Sequence, residues 1–65
     1  MTNLTAKDVD VLSHVLTGEE MASKKAKIYA NTLTDVALAQ EMERIAAAHA
    51  QRFAALLKIL EGGKQ

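Results

Sequence analysis

From Thr5 to Glu61 the chain contains no proline and a single glycine, Gly18. Proline ends a helix because it lacks the amide donor and its ring clashes with the preceding turn; nothing here imposes such a break. Ala, Leu, Glu, Lys, Gln and Met, all good helix formers, dominate the stretch. Apolar residues recur at alternating steps of three and four. One row runs Leu12, Val15, Ala22, Ala26, Tyr29, Leu33, with Glu19 occupying one of its places. A second runs Leu38, Met42, Ile45, Phe53, Leu56, Leu60, with His49 occupying one of its places. This spacing lines one face of an α-helix. The expected fold class is all-α, an antiparallel two-helix hairpin.

Thr5 to Asp8 reads as a capping box, a Thr N-cap with an acid three residues on. Asn31, Thr32 and Thr34 compete with helix through side-chain to backbone bonds. Thr34 is the expected N-cap of the second helix, with Asp35 at the positive end of its dipole. Helix 1 is thus expected over about 5–32, the turn over about 31–34 and helix 2 over about 35–61, one hairpin spanning 1–65. In helix 2 an 11-residue repeat aligns Leu38, His49 and Leu60, Met42 with Phe53, and Ile45 with Leu56. That period favours straight or slightly right-handed packing. Gly62-Gly63 supplies a stop, with Lys64 and Gln65 expected to fray.

Helices of this length run roughly 40 Å. Two of them cover only one side of each row, and soluble monomers rarely leave large apolar areas wet. A second copy solves this: two hairpins on a two-fold axis form a four-helix bundle with one core. A chain of 65 residues beginning with Met1 suggests a complete small protein of one domain. Without cysteine it has no disulfide or thiolate zinc site to staple it. Eight basic and eight acidic residues cancel. No basic block provides the footprint of nucleic-acid binding, and Lys24, Lys25 and Lys27 read as a solvated face. No apolar run approaches the roughly 20 residues that cross a bilayer. The expected partner is the chain itself, with neither nucleic acid nor membrane, and the expected location is cytoplasmic.

The two interruptions share a level. With the turn near residue 33, antiparallel pairing sets residue 19 against about residue 47, so His49 lies within roughly 3 Å along the axis. A buried carboxylate is costly unless paired, and His49 is its nearest partner. His14 falls off the rows and is expected to be exposed. Glu20, Glu41, Glu43, Arg44 and Lys58 fit a solvated face, and Tyr29 is expected in the core. Gly18, beside Glu19, costs about 1 kcal/mol against Ala inside a helix, which suggests close approach of a neighbour. No Ser-His-Asp or Cys-His set and no phosphate loop is present, so the residues lean away from an enzyme and a small-molecule substrate without deciding the question.

"GEEMASKKAKIYA", Gly18 to Ala30, resembles the first-helix motif of the ferritin-like superfamily, especially rubrerythrin-type proteins. "IAAAHAQRFAALL", Ile45 to Leu57, resembles the second, in which Glu-x-x-His precedes an alanine, a basic residue and Phe. The resemblance covers most of the chain and implies a dimer of half-domains forming a ferritin-like four-helix bundle. It places Glu19 on the helix-1 carboxylate ligand and His49 on the motif histidine. Ala46 stands where the motif glutamate belongs. The chain also resembles short two-helix ferritin-like proteins of the bacterial spore-coat type, in which the second-helix metal motif is often degraded. These resemblances imply a non-catalytic structural or interaction protein, spore association included, with a degraded metal site and no cofactor. The alternative they admit is a metal protein, with Glu19 and His49 of two copies holding Fe, Mn or Zn.

Overall fold

A computed structural model describes residues 3–63. Two helices make up the fold, α1 over Ala6–Thr32 and α2 over Val36–Gly63, packed against each other. At the head of α1 the Asp8 amide donates to Thr5 Oγ1 (3.0 Å) and the Thr5 amide donates to Asp8 Oδ2 (3.1 Å). This is the expected capping box. At its end the Leu33 amide donates to the Tyr29 carbonyl, and the chain turns extended.

The second cap differs from expectation. α2 begins at Val36, and Asp35, not Thr34, is its N-cap: Asp35 Oδ1 accepts from the Leu38 amide at 2.9 Å. Asp and Thr both cap well, but a carboxylate gains more from the positive helix end. The far end differs too. α2 continues through Gly62 to Gly63, because tandem glycines weaken a helix without forcing it to stop. Lys64 and Gln65 lie outside the described residues.

The seam between the helices is built from Leu12, Leu16, Glu19, Ser23, Ala26 and Ala30 on α1. Facing them are Met42, Ala46, His49, Phe53, Leu56 and Leu60 on α2; all of these are buried or half-buried. Leu16, Ala26, Ala30, Ala46 and Leu60 are the buried apolar residues. The core is therefore made largely of small side chains, which let the helices approach closely. Ser23 Oγ crosses the seam to donate to the Ala46 carbonyl at 3.0 Å.

The expected rows were a composite of two faces. Tyr29 is 54% exposed rather than core, and Val15 and Leu33 are exposed as well. On α2 Leu38 (56% exposed) and Ile45 lie outside the seam. The physical reason is a one-residue offset. Val11, Val15, Gly18, Ala22, Lys25 and Tyr29 each immediately precede a seam residue, and all but Ala22 are exposed. Ile45, Arg52 and Ile59 do the same on α2, and Leu38 continues their row; the four are seven residues apart and all exposed. One residue is about 100° of helix. Antiparallel helices are related by a local two-fold normal to their common plane, so equal offsets fall on the same side. Both rows therefore make one largely apolar face, interrupted by Lys25, Glu41 and Arg52. The opposite side carries Glu20, Lys24, Lys27, Asn31 and Glu43, all exposed.

The chain forms a slab of 46 × 17 × 10 Å between Cα atoms, one helix thick. Stable domains normally bury apolar faces between two layers. A compact protein of 7.0 kDa exposes about 4,000 Å²; this chain exposes 4893 Å². Among the described residues no helix is long and apolar enough to cross a membrane.

Candidate functional site

Helical spacing brings Glu19 to the middle of α1, with thirteen residues of helix on either side, and His49 next to the middle of α2. The structure joins them as expected. His49 Nδ1 donates to Glu19 Oε1 at 2.5 Å. Glu19 is 16% and His49 25% exposed at the side chain. His14 is exposed, held only by its own helix through the Asp10 carbonyl.

A third residue completes the cluster. Arg52 Nε donates to Glu19 Oε2 at 2.7 Å, so both carboxylate oxygens are engaged. Arg52 Nη2 also approaches His49 Nδ1 at 2.8 Å. One ring nitrogen cannot donate to the carboxylate and accept from the guanidinium together. The shorter, charge-assisted contact assigns the proton to Nδ1, and the Arg52 approach is then a contact only. The hydrogen bond from Arg52 holds the Glu19 carboxyl below the usual carboxylate range, helped by the bond from His49 and opposed by burial.

Interrupted apolar rows predict Glu19 and His49 but not Arg52 as site residues. Its signal was present: it is the one charged residue in the row Leu38, Ile45, Arg52, Ile59, and it follows His49 by three, one helical turn. Its guanidinium places a fixed positive charge where a carboxylate and an imidazole converge.

This donor set does not fit a two-metal centre. Bridging ions between helices takes several carboxylates, and among the described residues no three His, Cys, Asp or Glu groups cluster. Ala46 explains part of this. It is buried, with its carbonyl bonded to Ser23 across the seam. A glutamate there would have to enter the packed seam between the helices.

The second interhelix ion pair lies on the polar side. Lys27 Nζ donates to both Glu43 oxygens, at 2.6 and 2.7 Å. The shallow groove beside it is lined by Ser23, Lys24, Ala46, Ala47 and Ala50. These side chains offer no nucleophile with an adjacent base. No family model matches the chain, and no curated protein or solved structure is significantly similar to it.

Proposed function

We propose that this chain is a non-catalytic structural and interaction protein of ferritin-like design, a homodimer of hairpins closed into a four-helix bundle. The observation that carries this reading is the state of Glu19. Both its oxygens are taken, one by His49 and one by Arg52. A carboxylate already neutralised by a guanidinium serves as a polar layer that sets register, a well-attested use of buried polar groups. The one-sided apolar face supports the dimer, because it leaves each hairpin with half a core. The spore-coat resemblance supports a role in assembly, in the cytoplasm or at the spore.

The competing reading is a single Fe, Mn or Zn ion held by Glu19 and His49 of both copies. Imidazole and carboxylate suit these ions. The ion would have to take Oε2 from Arg52 and sit beside a fixed positive charge.

Metal analysis of protein purified without chelators, together with its mass in solution, tests the proposal. The expected result is a dimer, or a multiple of one, without stoichiometric metal. A stable helical monomer at micromolar concentration removes the dimer, and a stoichiometric metal ion removes the structural reading of the polar layer.

A further inference from the structure

Gly18 has no explanation within its own chain. It lies inside α1 without a positive φ, so backbone conformation does not call for glycine. A Cβ built there meets no other atom within 4 Å, so space within the hairpin does not call for it either. Gly18 belongs to the uncovered apolar face, between Val15 and Ala22, and directly precedes Glu19.

We propose that a second copy of this chain seats on that face with its closest approach at Gly18, enclosing the Glu19–His49–Arg52 layers of both copies in one polar core layer. This rests on the dimer reading and adds where the copies touch. Three observations favour a second copy over an unrelated partner. The first is area. The surface exceeds that of a compact protein of this mass by roughly 850 Å², close to the roughly 800 Å² that each partner contributes to a standard interface. The second is position. Glu19 and His49 stand at the middles of their helices. A two-fold mate therefore brings its own polar layer to the same level, whether the turns lie at the same end or at opposite ends. Polar then meets polar, and the apolar residues on either side meet apolar ones. The third is charge. Glu19 and Arg52 neutralise each other at this face, and Lys25 and Glu41, the other charged residues that directly precede seam positions, balance in number, so the face carries no excess charge to attract an unlike surface.

Sedimentation velocity over a dilution series tests the contact, with helicity followed by circular dichroism. Gly18→Leu is compared with Thr17→Leu, which adds a similar side chain on an exposed position pointing away from the face. Leucine is a better helix former than glycine, so on an isolated hairpin Gly18→Leu should only raise helicity. Filling a packed interface should instead raise the dissociation constant by roughly ten- to a hundredfold. Thr17→Leu should leave it unchanged, and Gly18→Ala should fall between. A wild-type dimer that Gly18→Leu leaves intact or tightens overturns the contact at Gly18 while sparing the dimer. A wild-type chain that stays monomeric at every concentration overturns both.

Discussion

Two ion clusters bridge α1 and α2, one on each side of the seam, and they differ in what surrounds them. Lys27 and Glu43 are 58% and 45% exposed and stand among lysines, glutamates and alanines. Water already solvates both charges, so the pair gains little from its good geometry. Glu19, His49 and Arg52 lean toward the side where the neighbours are Val15, Ala22, Ile45 and Ile59. There the carboxylate has given up more of its water and has taken two donors in exchange. The same chemistry is solvated on one side of the hairpin and half-buried with both carboxylate oxygens bonded on the other.

A charge placed on each side breaks or sharpens this contrast most strongly. Ile45→Glu puts an unpaired carboxylate in the apolar face and should raise the dimer dissociation constant by about a hundredfold or more. Ala47→Glu, on the polar side, should leave it unchanged; equal effects in a sedimentation dilution series would mean the two sides are not distinct. Next is the seam itself. Ala46→Glu creates the Glu-x-x-His spacing but overfills the packed seam at a buried alanine. Thermal unfolding should show a loss of about 1–3 kcal/mol. A neutral effect would show that the seam can open to admit a metal ligand.

The polar layer follows. Glu19→Gln and His49→Gln should each lower the melting temperature, and the double variant should lose less than the sum of the singles. Full additivity would mean the two side chains do not act together. Glu19 also makes acid stability informative. Its carboxyl is held below its ordinary value by Arg52 and His49. The stability it contributes is therefore full above the ordinary carboxylate range, near pH 4.5, and is lost as pH falls through the lowered value. Wild type should lose stability more steeply than Glu19→Gln over that acid range. Equal slopes would sink the assignment. The smallest effect belongs to the exposed pair. A Lys27→Met and Glu43→Gln cycle should give a coupling of about 0.2–1 kcal/mol that salt removes.

The helical layout was legible because each signal was local. Thr5 and Asp8 cap within one turn, and alternating steps of three and four need no knowledge of the neighbour. The level of Glu19 against His49 followed from the position of the turn alone. What could not be read was rotation. Leu12, Leu16 and Ala26 lie on one side of a narrow angle, Val15, Ala22 and Tyr29 on the other, and both sets are apolar. Choosing between them requires knowing where α2 lies. The rows blend for that reason, and spacing alone predicts Tyr29, Leu38 and Ile45 on the seam, where the structure leaves them exposed. Charged residues on a helix are usually solvated, and only its place in an otherwise apolar row sets Arg52 apart.

The turn between Thr32 and Val36 has a kinetic consequence. The interhelix ties lie at growing sequence separations from it: Lys27 to Glu43 spans 16 residues, Ser23 to Ala46 spans 23, Glu19 to His49 spans 30 and Glu19 to Arg52 spans 33. Each tie closed shortens the loop left to close for the next, so the chain can zip outward from the turn by small steps. Topologies of this kind fold within microseconds to milliseconds. The salt bridge that counts least at equilibrium is the first tie within reach, and it stands at the start of the zipper.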